Sequence, residues 1–288
     1  MNTEIQRMLA KYPLVSPSSS KDALKEIIQE ITLLALSRTD FFTHAAFYGG
    51  TALRIFHGLD RFSEDMDFSL QSKNPNFMLE KYLPTIEKEL ESYGFSLEAR
   101  IKPKQHISAV PSAFHKGNTL VHMVRILSLP PPVAGIPSNE LMKIKIEIDT
   151  NPPEGATFEQ KFKLLPQPYA ALLYDKSSLF AGKLHALLCR NWRHREKGRD
   201  FYDYLWYLSE GIPVNIWHLE ARMRQSGHWT ETGPLQIRTV QELLLRRFEN
   251  LDFQQVKRDV VPFIAHPASL DIWSREFFSA ITLEKLKG

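Results

Sequence analysis

Residues 47–70 read FYGGTALRIFHGLDRFSEDMDFSL. A short apolar run meets two glycines, Gly49 and Gly50, a helical stretch follows, and the segment closes on an acidic cluster set among residues that alternate like a strand. Side chains of a strand point alternately to its two faces, so Asp65 and Asp67 share one face while Met66 and Phe68 take the other. Two carboxylates spaced ~7 Å along a strand repel each other unless a cation lies between them. Oxygen-only donors suit Mg²⁺ or Mn²⁺, ions that bind few carboxylates and keep positions for phosphate oxygens. A glycine turn lets the backbone approach phosphates closely, and the amides opening the next helix can donate to them. Either feature alone is more often structural. A second alternating stretch, MKIKIEID at 142–149, places Glu147 and Asp149 on one face, and either could complete a carboxylate triad. Strand, glycine turn, helix, DxD strand and a later acidic strand match an arrangement used for two-metal phosphoryl transfer.

Outward from this segment, Ser20 is placed to cap a helix over 21–38, with Leu24, Ile27, Ile28, Ile31, Leu34 and Ala35 on one face. Strands are expected at 45–48 and 66–70, a short helix at 51–57, and a helix over 77–93 that Pro84 kinks or divides. Extended segments follow near 96–101, 121–129 and 142–149. The prolines and glycine of NPPEGA at 151–156, with Pro166 and Pro168, predict a boundary between an α/β lobe at 1–165 and a helical lobe at 166–288. Helical periodicity then covers 175–190, 200–209, 214–225, 234–248 and 269–285.

With 288 residues, 43% of them hydrophobic and 24% charged, the chain can bury a sizeable core. No apolar run of membrane-spanning length and no signal-peptide layout is present, which predicts a cytoplasmic protein without membrane contact. The single cysteine, Cys189, excludes an internal disulfide and a thiolate metal cluster, and its apolar setting predicts a buried structural thiol. His57, His185 and His194 lack zinc-binding spacing. The net charge of +3 is unevenly spread: residues 60–98 hold nine acids against four Lys or Arg, 183–199 hold six bases and one acid, and 100–125 hold five bases and no acid. That division fits a site holding a cation and a polyanion together.

GGTAL, RFSEDMDF, KIKIEID, AGKLHALLCR, GRDFYDYLWYL and VKRDVVPFI occur in this order. The series resembles the AbiEii family of nucleotidyltransferase-like toxins, which includes the MenT-type enzymes, and the likeness covers most of the chain. It implies an α/β (α+β) fold: a polymerase β-like nucleotidyltransferase core with a mixed sheet, followed by a helical C-terminal lobe. It further implies Mg²⁺-dependent (or Mn²⁺-dependent) transfer from an NTP to RNA, tRNA in characterised members, opposed by a cognate antitoxin. Transferred by residue, Gly49, Gly50 and Thr51 would cradle the triphosphate, Arg61 and Ser63 would shape the approach to it, and Asp65 and Asp67 would hold metal. Glu147 would be the third metal ligand, with Asp149 in reserve, and Lys183 and Asp200 would come from the helical lobe as catalytic residues.

Plainer readings exist for two of these: Lys183 as a lysine lying along apolar neighbours, and Asp200 as a helix cap. The loop NWRHREKG at 191–198 is rich in charge, and Arg190, Arg193 and Arg195 are candidate RNA contacts, with Trp192 able to stack on a base or anchor the loop. The alternatives are a protein-modifying nucleotidyl- or phosphotransferase and a catalytically idle RNA- or antitoxin-binding module.

Overall fold

The computed structural model describes residues 3–12, 16–98, 119–128, 142–190, 196–264 and 266–288. Its helices are α1 (Thr3–Leu9), α2 (Pro17–Ser37), α3 (Gly49–His57), α4 (Leu83–Ser92), α5 (Lys176–Cys189), α6 (Gly198–Ser209), α7 (Ile216–Gln225), α8 (Ile237–Glu249), α9 (Phe253–Val260) and α10 (Arg275–Lys285). The strands are β1 (Ala45–Tyr48), β2 (Asp65–Leu70), β3 (Ser96–Glu98), β4 (Thr119–Ser128), β5 (Met142–Asp149), β6 (Phe158–Lys163) and β7 (Tyr169–Tyr174). They form one mixed sheet in the order β3-β4-β5-β2-β1-β7-β6, with β2 parallel to β5 and antiparallel to β1.

One face of the sheet is covered by α2, whose Leu24, Ile27, Ile28, Ile31 and Leu34 are almost wholly buried, and α1 and α4 join the same core. On the other face Ala46, Leu53 and Tyr174 enter a second core built from α5 to α10, centred on Phe180, Tyr204, Phe248 and Phe278. The helical half therefore lies against the sheet, and residues of β1, β2 and β5 on that face share a cleft with residues of α5 and α6.

Several local expectations shift. Helix α2 starts earlier than its hydrophobic face suggests: Ser16 caps it, exchanging hydrogen bonds with Ser19 in a capping box, while Pro17 opens the first turn and Ser20 is buried inside the helix. The stretch at 77–93 is divided, into a 3₁₀ turn at Leu79–Lys81 and α4, with Pro84 in the first turn of α4, where its missing N–H has no partner to lose. The sheet does not end at residue 165. The hairpin of β6 and β7 carries it to Tyr174, so the helical array starts at Lys176.

Candidate active site

Gly49 has φ +82°, a left-handed conformation that favours glycine, at the turn from β1 into α3. A Cβ there would lie 2.5 Å from Asp67 Oδ2, and one on Gly50 would lie 2.7 Å from Arg61 Nη2 and 3.1 Å from Ser63 Oγ. The two glycines thus leave room for the functional groups beside them. Helix α3 has Tyr48 as its N-cap, whose side chain makes no capping hydrogen bond to the first amides.

Strand pairing aligns the acids. Asp67 lies beside Tyr48 of β1 on one side and beside Glu147 of β5 on the other, and Asp65 lies beside Lys145. Asp149 is one step further, beside Ser69, where its Oδ1 accepts the Asn151 N–H at 2.9 Å. Asp65, Asp67 and Glu147 line a cleft of about 220 Å³, whose opposite wall carries Lys183, Arg190 and Asp200. Burial first, then repulsion from Glu147 and Asp65, pushes the Asp67 carboxyl up to about 7. Burial raises Asp65 as well, with Lys145 opposing the shift. Carboxylates held this close have unmet negative charge, which is the chemistry a divalent ion answers.

The far wall is an ionic network. Lys183 Nζ of α5 lies 2.6 Å from Asp200 Oδ1 and 2.7 Å from Asp203 Oδ2, both from α6, where a spacing of three puts them on one helix face. Arg61 closes a two-pronged pair on Asp203, Nε to Oδ1 at 2.5 Å and Nη2 to Oδ2 at 2.6 Å. Arg190 Nη1 reaches Asp200 Oδ2 at 3.3 Å. Burial would raise the Asp200 carboxyl, but Lys183 and Arg190 outweigh it and hold it well below the usual carboxylate range. Asp200 is therefore an ion-pair partner in the first turn of α6 and caps nothing, and Lys183 does not lie along the surface. The Gly198 N–H donates to Asp259 Oδ2 of α9 at 2.9 Å, and a Cβ on Gly198 would overlap the Val256 carbonyl, so α9 seats the start of α6.

Most of the expected residues converge, with one change of place. Arg61 lines the cleft beside Gly50 and is buried, and its fork on Asp203 ties the loop before β2 to α6. Thr51 lies fully buried behind the cleft, its hydroxyl donating to the Asp65 carbonyl and lying 2.9 Å from Ser63 Oγ. Its hydroxyl latches α3 to β2 instead of facing a triphosphate. Thr51→Val is expected to lower stability by ~1–2 kcal/mol with the KM for NTP nearly unchanged, read by thermal melts beside kinetics. A raised KM with unchanged stability would return the hydroxyl to the nucleotide. Arg193 and Arg195, with Trp192 and His194, lie outside the described residues, as does most of the basic segment at 100–125. Cys189 is buried, and burial pushes its thiol up to about 12, in keeping with a structural thiol.

Sequence reading missed Asp203, although its spacing from Asp200 was the available signal. It also missed Arg222 of α7, which reaches the cleft only through the fold and whose buried Nε has no hydrogen-bond partner among the described residues.

Comparison with known proteins adds the decisive observation. The model of a family described as the nucleotidyl transferase AbiEii toxin of a type IV toxin–antitoxin system matches residues 31–276. The chain belongs to the AbiEii family. It is a nucleotidyltransferase, and its family implies an NTP donor and an opposing antitoxin. Among solved structures this AbiEii chain is similar to MenT4, a nucleotidyltransferase toxin from Mycobacterium tuberculosis H37Rv, at 16% identity over 98% of both chains with a TM-score of 0.49. It is also similar to JHP933 from Helicobacter pylori, at 19% identity over 91% of this chain and 88% of that one, with a TM-score of 0.48. A search of curated proteins gave no match. No helix among the described residues is long and apolar enough to cross a membrane.

The family generally works with a divalent ion, and the donor set suits one: Asp65 and Asp67 offer hard oxygen ligands beside the glycine turn. Among the described residues no three such groups converge on one point.

Proposed function

We propose that this AbiEii enzyme, with Mg²⁺ or Mn²⁺, transfers nucleotides from an NTP to RNA, and that tRNA is the acceptor. The observation that carries the reading is the register of Asp65 and Asp67 beside Glu147, facing Lys183 and Asp200 across one cleft. In this reading an acceptor hydroxyl attacks the α-phosphorus and gives up its proton to solvent, the bond to the bridging oxygen breaks, and pyrophosphate leaves. Gly49 and Gly50 admit the triphosphate, while Lys183 faces its charge from the helical wall. Asp200 and Asp203 fix the Lys183 ammonium so that it is in place before substrate arrives. Asp65 and Asp67 would hold a divalent ion, with Glu147 beside them as the third acid, and the ion when bound would supply charge neutralisation at the phosphates. Arg190, with Arg193 and Arg195, is assigned to the RNA backbone, where phosphate contacts position without reading sequence.

Glu147→Gln is expected to cut transfer at least tenfold, about 1.4 kcal/mol of transition-state stabilisation, with partial rescue by excess Mn²⁺. Asp149→Asn should change the rate far less, since its carboxylate serves the turn at Asn151. Steady-state rates of both variants test this, and the reverse order would move the third ligand to Asp149. The acceptor is tested by incubating the protein with each labelled NTP, Mg²⁺ and either total tRNA or total protein. Label in tRNA supports the proposal, label in protein assigns a protein-modifying enzyme, and label in neither leaves a binding module.

A further inference from the structure

One edge of the sheet ends on β6, which pairs with β7 residue for residue from Phe158 to Lys163. Among the described residues the backbone hydrogen bonds of 158–163 run to β7 alone, so the outer row of N–H and C=O groups has no protein partner there. Edge strands are commonly defended by charged side chains, a bulge or a proline within the strand. One face of β6 lacks any such charge: Phe158, Gln160 and Phe162 alternate along it, Phe162 is 71% exposed, and Leu164, next in the alternation, is 75% exposed. The charges sit on the other face and are already engaged. Lys163 lies 3.3 Å from Glu30 of α2, Lys161 lies 3.1 Å from Glu159, and Glu159 lies 3.6 Å from His57 of α3.

The order of these residues carries more than their exposure does. Residues 158–162 read apolar, acid, Gln, base, apolar, a pattern that is complementary to itself when reversed. In an antiparallel pair of such strands centred on Gln160, Phe158 faces Phe162 of the second copy and Glu159 faces Lys161, and both contacts recur across the two-fold axis. Aromatic pairs and opposite charges set directly across from each other stabilise a sheet, whereas like charges there destabilise it. Neighbouring registers lose this match. Sliding by two residues sets Lys161 against its own copy, or Glu159 against its own copy. Sliding by one sets Phe162 against Glu159, or Phe158 against Lys161. A single register therefore satisfies both faces at once.

We propose that β6 is a self-association edge, through which two copies of this chain pair antiparallel in the register centred on Gln160 and continue one sheet across both. The inference is independent of the chemistry assigned to the cleft, whose strands β1, β2 and β5 lie beyond β7.

The test is sedimentation equilibrium of the full chain, run up to ~100 µM because a seam of this size gives a weak association. Wild type is expected to reach the mass of two chains within that range. Phe162→Lys, Lys161→Glu and Glu159→Lys are each expected to weaken the dimer at least about tenfold, by removing the aromatic pair or by setting like charges across the seam. Melting curves confirm that each variant is folded. An equal mixture of Lys161→Glu and Glu159→Lys should form a dimer again, since one copy then presents two acids to two bases on the other. Wild type that stays monomeric throughout would overturn the inference and leave this edge to a different partner. A dimer unaffected by Phe162→Lys would place the contact elsewhere, and a mixture that associates no better than its two components would show that these charges do not meet. Either result also overturns it.

Discussion

Asp203→Ala is expected to destabilise the protein by ~3–5 kcal/mol, the range for removing one partner of a buried ion pair. Its carboxylate is wholly buried and receives both prongs of Arg61 and the ammonium of Lys183. Alanine would leave the buried Arg61 guanidinium without its carboxylate and cut the link between the loop before β2 and α6. Lys183 would keep Asp200 but lose one of the two contacts that aim it, so transfer should also fall. Urea denaturation of the purified variant gives the stability loss. A loss below ~1 kcal/mol would mean that water or a neighbouring acid replaces Asp203 at once, and the network would not be the structural tie between the two halves. Arg61→Met combined with Asp203→Leu should recover much of the lost stability without recovering activity, because it removes the unpaired charges and leaves Lys183 poorly aimed.

Asp67→Asn is expected to abolish transfer and, in the metal-free protein, to raise stability. The carboxyl is pushed from an ordinary value of 3.8 up to about 7 by burial and by its neighbours Glu147 and Asp65. A carboxyl whose pKa is raised on folding binds its proton more tightly in the native state, so metal-free stability falls as pH climbs from about 4 to about 7 and levels off above. Asparagine removes that penalty, and after discounting for coupling among the three acids the gain at pH 8 should be ~1–2 kcal/mol. The same change takes away a metal ligand, so activity should fall well below a tenth of wild type, a loss of more than about 1.4 kcal/mol in transition-state stabilisation. Melting curves across this pH range and initial rates at pH 8 check both parts. Asp65→Asn should behave alike in activity, with a smaller stability gain because its side chain is more exposed. Retained activity in either variant would remove the acids from the chemistry.

The alternation of residues 65–70 and 142–149 was enough to place both acidic strands, because each buries one face and its polar residues mark the other. Their adjacency was not legible, since parallel pairing depends on the whole sheet. Strand β6 was hidden for a related reason: FEQKFK alternates, but Phe158 and Phe162 lie on its exposed side, and the prolines that follow imitate a linker. Lys183 and Asp200 were singled out through motif order, and periodicity could not have set them across the cleft from Asp67. Asp203 sat in plain view three residues from Asp200, yet nothing local shows that a loop arginine, Arg61, comes to meet it. Arg222 had no sequence signal, because α7 reads as an ordinary amphipathic helix and only its packing on α5 brings the guanidinium to the cleft.

The central claim is that the cleft between the acidic strands and the Lys183 network transfers a nucleotide. It is tested most directly by supplying the wild-type protein and Asp67→Asn with Mg²⁺, total tRNA and each NTP labelled either at the α- or at the γ-phosphorus. The account predicts that wild type puts α-label into RNA and releases γ-label as pyrophosphate, and that Asp67→Asn does neither. Gamma-label appearing on the acceptor, or α-label transferred equally well by Asp67→Asn, would contradict it.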